Sequence, residues 1–567
     1  MSTAISPLTS AALPAVSRRT LLRASALSPA LFMPESLRAA PRSGFTHSVA
    51  SGDPEQRSVT LWTRYVASDA EAAWLQVEIA EDEQFKAIVS RSAALSAPEK
   101  DFCIHARPEN LKPGKWYYYR FRADNGEISP TGRTRTLPEG KLDQFRIGVF
   151  SCANATSGWF NAYAHAAARD DLDLLVHLGD YIYESKLDRS DALEGMAELR
   201  GIEPAHEVVS LSDYRRRYAS YRADPGLQEL HRRFPIIVMW DDHETVNNSW
   251  KNGAANHDPT MEGRWKVRMA AGVQAFHEWL PMRRAPYTQY QLGDLATLFR
   301  LETRLIGRSQ QLDLRDGISG SEKDLATAAI AFRDGPLNDP ARTMMGPEQE
   351  RWLAERLAAS TASGRKWQIL AQQVIMGQTR MPKDFSALFA PGAQVSAKKL
   401  EKLRMAARLS AIDVPQHMDR WEGYPAARRR LLQASQNANA DLVVLSGDSH
   451  NAWAFNLEHD GQPVGVELAV QGVSSLGMDK RYHGDPLAIA RDIVAASPDL
   501  VWCDTSQRGY MVLDVQADRI SNEWLFIPSR MTRMVEVSGS HKMQAVRGAR
   551  SLASGRLPHA RALCSSI

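Results

Sequence analysis

Four short apolar runs in this chain each end directly in a cluster of cysteine, acid, tyrosine or histidine. Phe145-Arg146-Ile147-Gly148-Val149-Phe150 is followed by Ser151-Cys152-Ala153-Asn154, and Leu172 to Leu178 by Gly179-Asp180-Tyr181-Ile182-Tyr183. Phe234 to Trp240 gives way to Asp241-Asp242-His243-Glu244, and Asp441 to Leu445 to Ser446-Gly447-Asp448-Ser449-His450. Runs this short and this apolar read as strands covered on both faces, which requires an α/β layered domain with helices between the strands. Trp367 to Leu370 is a further buried strand, and Pro347 to Ala359 an intervening helix with proline at its first position and early glutamates. In such domains the loops leaving the carboxyl ends of strands build the site. Taken singly, each cluster has a bland explanation: a Gly-Asp turn, a cysteine that packs as a small hydrophobe, a structural histidine. Together they deliver Cys, Asp, Tyr, His and Asn to one rim, where Asp241, Asp242 and Glu244 beside a buried strand need a compensating cation.

The remaining segments frame that domain, expected over 145–530. Residues 45–138 read as a β-sandwich of the fibronectin or immunoglobulin type: Ser58 to Tyr65 and Trp74 to Ile79 alternate, and Trp116 to Phe121 lies between Pro113-Gly114 and Asp124-Asn125-Gly126. No ligand cluster falls in this part, so its expected role is structural or docking. Residues 1–40 carry Ser17-Arg18-Arg19-Thr20-Leu21-Leu22-Arg23 and a short apolar run to Leu31-Phe32-Met33, broken by Pro29 and Pro34. The run is shorter than the roughly 20 residues that span a bilayer, and it reads as a twin-arginine-type export signal. The expected partner is the twin-arginine export machinery and the expected location periplasmic or secreted, with no transmembrane segment later in the chain. Glu184 to Val208 and Pro391 to Ala411 read as insertions or lids. Residues 537–567, with five Lys or Arg and no acid, read as a basic flexible tail. A net charge of +3 over 567 residues argues against a nucleic-acid-binding module, and four cysteines, at 103, 152, 503 and 564, against a disulfide scaffold.

The motifs His177-Leu178-Gly179-Asp180-Tyr181-Ile182-Tyr183-Glu184, Trp240-Asp241-Asp242-His243-Glu244 and Ser446-Gly447-Asp448-Ser449-His450 are specific, and the opening Ser48-Val49-Ala50-Ser51-Gly52-Asp53-Pro54 accompanies them. On these the chain resembles the alkaline phosphatase D, or PhoD-like, family of metallophosphoesterases. The resemblance implies a metallophosphoesterase-type layered domain and Fe(III) held by Cys152, Asp180, Tyr183 and His450. It also implies neighbouring Ca²⁺ sites that share Asp180 and use Asp242 and Asp448. Thiolate and phenolate are donors suited to Fe(III), and carboxylate and carbonyl oxygens to Ca²⁺. The wider superfamily has Gly-Asn-His at the third motif, whereas Asp241-Asp242 precedes His243 here; Asp242 is taken as the ligand, with Asn248 in reserve. His243 and Asp242 are the catalytic candidates, His243 to stabilise phosphoryl oxygens or protonate the leaving alkoxide unless it is itself a ligand. Asn154 and one of Arg215, Arg216, Arg217 or Arg222 are candidate phosphate contacts, and Asp419 to Arg428 either walls the pocket or belongs to the core. The expected function is an exported metal-dependent phosphoesterase acting on small phosphate mono- or diesters. The alternatives are a phosphodiesterase or phospholipase D-type activity on the same site, or a secreted binding protein that has lost catalysis.

Overall fold

The computed structural model describes residues 43–187, 192–314 and 322–553. The export-signal expectation for 1–40 and the end of the expected tail lie outside the described residues. The N-terminal part contains β1 (Gly44–Gly52), β2 (Thr60–Val66), β3 (Ala73–Ala80), β4 (Ile88–Ser96), β5 (Cys103–Ala106), β6 (Trp116–Ala123) and β7 (Gly132–Arg135). There follow β8 (Gln144–Phe150), β9 (Leu174–His177), β10 (Pro235–Val238) and a small hairpin of β11 (Ser249–Trp250) and β12 (Gly253–Ala254). The second half adds β13 (Thr288–Leu292), β14 (Ala296–Arg300), β15 (Trp367–Ala371), β16 (Leu442–Ser446), β17 (Ala452–His459), β18 (Gln462–Ala469) and β19 (Leu500–Asp504). The described chain closes with β20 (Arg508–Gln516), β21 (Arg519–Ile527) and β22 (Gly539–Val546).

Two large sheets carry the catalytic part, one ordered β22-β21-β20-β8-β9-β10-β1-β2-β5 and the other β13-β14-β15-β16-β18-β17-β19. Their packing explains the continuous apolar runs. In β15 and β16, Trp367, Ile369, Val443 and Leu445 point into one core together with Ile147, Val149, Leu174 and Leu175 of the first sheet. The alternate residues, Leu370, Leu442 and Val444, pack instead with Leu353, Leu357, Leu431 and Leu432 of the covering helices Pro347–Ala362 and Pro425–Asn437. A strand with period-two side chains and both faces buried is mainly apolar until it leaves the sheet, and the few polar residues inside it, such as Gln368 and Glu467, are buried. Parallel neighbours β8, β9 and β10 therefore all become polar at one edge, and parallel β14, β15, β16 and β18 do so in the second sheet.

One expectation, that of the flexible tail, is corrected. The N-terminal strands form a sandwich, with β1-β2-β5 facing a four-stranded sheet β4-β3-β6-β7 across Val49, Leu61, Ile104, Leu75, Val77, Tyr119 and Phe121, but it is not a separate unit. Strand β1 pairs parallel to β10, Ser51 with Pro235 and Gly52 with Ile236, so one face of the sandwich continues the catalytic sheet. Gly52 permits this approach: a Cβ there would lie 2.5 Å from the Ile236 carbonyl oxygen. The expected flexible tail over 537–567 contains β22, which pairs with β21 from Phe526 opposite Gly539 to Arg519 opposite Val546. Trp502 stacks on His541 with ring centroids 4.0 Å apart. This edge strand is largely exposed and lacks apolar alternation; it forms through backbone pairing, and Lys542 on an exposed edge discourages further pairing. Of the expected lids, the helix Ala397–Ser410 sends Leu403 into the second core and so acts as covering structure. Among the described residues no helix is long and apolar enough to cross a membrane.

Candidate metal centre

The loops after β8, β9, β10 and β16 turn sharply at their first polar residues. Cys152, Asp180, Asp448 and His450 all have positive φ, at 58°, 54°, 59° and 63°. Left-handed backbone at a residue with a Cβ costs about 1–2 kcal/mol, and its occurrence at four residues on three strand exits marks a place where side-chain direction outweighs local preference. Gly179, at φ 106°, precedes Asp180 because a Cβ there would lie 2.4 Å from the Cβ of Asp241. Glu244 ties the loops together by accepting the backbone N–H groups of Asp180 (3.2 Å), Tyr181 (2.5 Å) and Asp241 (2.7 Å). Its carboxyl is nevertheless pushed up to about 8, first by burial and then by the Asp180 charge.

The donors converge as expected from their strand ends. One donor atom each from Cys152, Asp180 and His450 lies within 4.8 Å of the others, and the same holds for Asp180, Asp242 and His243 and for Asp241, Asp242 and Asp448. Asp180 belongs to two of these groups and joins them. The Tyr183 hydroxyl reaches Asp180 Oδ2 at 2.9 Å, His450 Nε2 at 3.3 Å and Ser475 Oγ at 2.7 Å, which brings the phenol into the first group. His450 is oriented by a 2.6 Å contact of Nδ1 with the Leu476 carbonyl, leaving Nε2 toward Tyr183 and Asp180. His243 Nδ1 lies 2.6 Å from Glu184 Oε2, and its ring sits 4.2 Å from that of Tyr183.

Electrostatics favour a cation here. Burial, then the Asp180 carboxylate, pushes both the Cys152 thiol and the Tyr183 phenol well above their ordinary ranges. Only a nearby positive charge reverses that and releases thiolate and phenolate as ligands. Burial raises the Asp241 carboxyl far above the usual carboxylate range, and Asp448 is pushed up to about 6 for the same leading reason. Asp242 stays low, because Arg304 and His243 outweigh its burial. Oδ1 of Asp180 and Oδ2 of Asp241 are buried with no hydrogen-bond partner, an expensive condition for carboxylate oxygens unless a cation meets them. The donor set, a thiol, a phenol, an imidazole and clustered carboxylates, fits bound metal.

Several expected phosphate contacts do not reach the rim. Arg215 pairs with Glu278 and Arg216 with Asp213. Arg217 is turned inward from the helix Leu211–Arg222 and donates to the carbonyls of Tyr183, Glu203 and Pro204, so it anchors the loop carrying Tyr183. Arg222 is buried over Trp62, 4.2 Å from the ring centroid. Asn154 spends its side-chain oxygen on the N–H and hydroxyl of Thr156. Asn248 donates its backbone N–H to Asp242 at 2.7 Å and so steadies that carboxylate. Trp421 and Tyr424 are core, while Asp419 before them faces the site.

Arg304 was not foreseen. It follows β14, a fifth strand exit, and its fully buried guanidinium reaches Asp241 (2.5 Å), Asp419 (2.7 Å) and Asp448 (3.0 Å), with Asp242 at 3.6 Å. The signal lay in Ala296-Thr297-Leu298-Phe299-Arg300, a buried strand that ends in Leu301-Glu302-Thr303-Arg304. Glu184 and Ser475, the partners of His243 and Tyr183, carry no local signal of that role.

Two packed sheets under helices, with a thiol, imidazole and carboxylate cluster at the joined strand ends, define a metallophosphoesterase-type phosphatase fold. The solved structure of purple acid phosphatase PPD1 from yellow lupin (Lupinus luteus) seeds shares it, with a TM-score of 0.52 at 12% identity, covering 88% of this chain and 74% of that one. Residues 147–524 match the PhoD-like phosphatase family and residues 32–138 its N-terminal domain. Alkaline phosphatase D of Bacillus subtilis (strain 168) is 32% identical over 469 residues, 78% of this chain and 72% of that protein. The solved structure of PhoD superposes with a TM-score of 0.72 at 26% identity, covering 91% of this chain and 93% of that one. The chain belongs to the PhoD-like phosphatase family and is a metal-dependent phosphoric ester hydrolase.

Proposed function

We propose that this phosphoesterase is exported and acts on small phosphate esters, with Fe(III) held by Cys152, Asp180, Tyr183 and His450 and Ca²⁺ by Asp180, Asp242 and Asp448. The observation that carries the proposal is the meeting of Cys152, Asp180 and His450 donor atoms within 4.8 Å, with the Tyr183 hydroxyl on Asp180 and His450. Hard carboxylates beside a thiol and a phenol suit one trivalent and one or more divalent cations. Export rests on Arg18-Arg19 and the short apolar run that follows.

When bound, such cations lower the pKa of water and neutralise charge on the phosphoryl group. His243 supplies the proton. With Nδ1 held by Glu184, the proton it can give to a leaving alkoxide sits at Nε2. Burial disfavours the charged ring, but Glu184, then Asp180 and Asp242, outweigh it and hold the imidazolium well above the usual histidine range. Arg304 keeps Asp241, Asp419 and Asp448 in place from behind, and Ser475 orients the Tyr183 hydroxyl.

The Glu184→Gln variant gives the pH test of the proton donor. Glu184 raises the histidine pKa, so its loss lowers that pKa, and the alkaline limb of the pH–rate profile is expected to move to lower pH. An unmoved limb would remove His243 from the role of acid. Iron is tested by the visible spectrum of the purified protein. Thiolate or tyrosinate on Fe(III) is expected to give a coloured charge-transfer band that shifts in Tyr183→Phe, whereas a colourless, active protein would rule iron out.

A further inference from the structure

Beside the metal centre lies a cavity of about 320 Å³, within the range of small-molecule sites. Asp448 and His450 belong both to the centre and to the cavity wall. The wall continues away from the centre with Arg420, Lys480 and Arg481, and with the apolar surfaces of Leu388, Leu476 and Tyr482. Among the described residues that line it, Asp448 at the metal end is the only acid.

Most arginines near the centre are committed to carboxylates: Arg304 and Arg308 to Asp419, Arg380 to Asp413, Arg508 to Asp479. Arg420 and Arg481 have no carboxylate partner within ion-pair distance among the described residues. They are close enough to act on a common neighbour, since the His417 imidazole is held well below the usual histidine range foremost by Arg420, with Arg481 contributing. Arg420 is not loosely placed. It follows Asp419, which Arg304 and Arg308 fix from behind, and its own N–H donates to the His417 carbonyl at 3.3 Å. The charge of Arg420 is felt at Asp448 and Glu422, but neither forms an ion pair with it, and guanidinium groups without an ion-pair partner beside an apolar wall favour an anion that brings its own apolar surface.

We propose that this cavity receives the organic part of the phosphoester, and that Arg420 and Arg481 bind a second anionic group on it, a carboxylate or further phosphate, next to an apolar or aromatic surface. The proposal rests on the phosphoesterase reading of the adjoining centre and adds the class of substrate. It makes the enzyme selective for esters with two anionic groups, the first at the metals and the second at the arginines.

The test uses the metal-loaded full chain and a matched pair of chromogenic diesters, 4-nitrophenyl 2-carboxyethyl phosphate and 4-nitrophenyl propyl phosphate. The two have similar size and the same leaving group, and one carries the added carboxylate. A charge-assisted contact predicts kcat/KM about tenfold higher for the carboxyethyl ester, expressed in KM. In Arg420→Gln/Arg481→Gln that ratio is expected to fall to near one. The single Arg481→Gln variant, at an exposed position where folding is not at stake, is expected to lose part of it. Equal rates on the two esters in the unaltered enzyme would overturn the proposal, as would a ratio that survives both substitutions. Hydrolysis of 4-nitrophenyl phosphate but of neither diester would also overturn the proposal, whereas failure on all three esters, with metals bound, would overturn the phosphoesterase reading.

Discussion

Asp180→Ala is expected to lower kcat/KM for phosphoester hydrolysis by at least about a thousandfold, the loss of several kcal/mol of charge stabilisation by bound cations. Asp180 joins two of the donor groups at the rim. Its carboxylate lies in the cluster with Cys152 and His450, in the cluster with Asp242 and His243, and on the Tyr183 hydroxyl. Its Oδ1 has no protein partner at all. The fold does not depend on that oxygen, because β9 and β10 are held by their own ladder and by Glu244 accepting from Tyr181 and Asp241. The variant is therefore expected to fold and to fail at metal binding. Steady-state kinetics with a chromogenic phosphoester measures the effect, and a loss under about tenfold would show that Asp180 does not bridge the centre.

Arg304→Met is expected to destabilise the metal-free protein by about 3–5 kcal/mol, the usual cost of removing one partner from a buried charge network. The guanidinium and Asp241 are both wholly buried, and Asp419 and Asp448 depend on the same group. Without it, carboxylates already pushed up by burial face one another with no counter-charge, and the loops after β10, β14 and β16 separate. Bound cations would offset part of that repulsion, so the deficit should shrink when metal is restored. Denaturant unfolding with and without metal checks both statements; equal deficits in the two states would mean that Arg304 and the cations act on different groups.

The residues legible in the sequence were those whose roles are local. A strand buried on both faces is mainly apolar, so its end is visible as a cluster of polar residues, and at four of the ends those clusters contain Cys152, Asp180, Asp242 and Asp448. What was not legible depended on distant pairing. The parallel contact of β1 with β10 joins positions far apart in the chain, and nothing in Ser51-Gly52 announces it beyond a glycine. Strand β22 has little apolar content and takes its form from β21. The arginine run 215–217 offers a candidate phosphate contact or a solvated helix face, yet each of its charges answers a partner that only the fold supplies. Arg304 carries no metal-ligand signal in the sequence because arginine is not a metal ligand, although its position after β14 follows the same rule as Cys152, Asp180, Asp242 and Asp448.

The proposed function requires that side chains from separate strand ends hold the same cations. Counting metal ions per chain and turnover on the same preparations of the unaltered protein, Cys152→Ala and Asp180→Ala tests this most directly. Bound metal and activity are expected to disappear together in both variants, although residues 152 and 180 reach the centre from different strands. Full metal content with undiminished turnover in either variant would place the reaction elsewhere in the molecule.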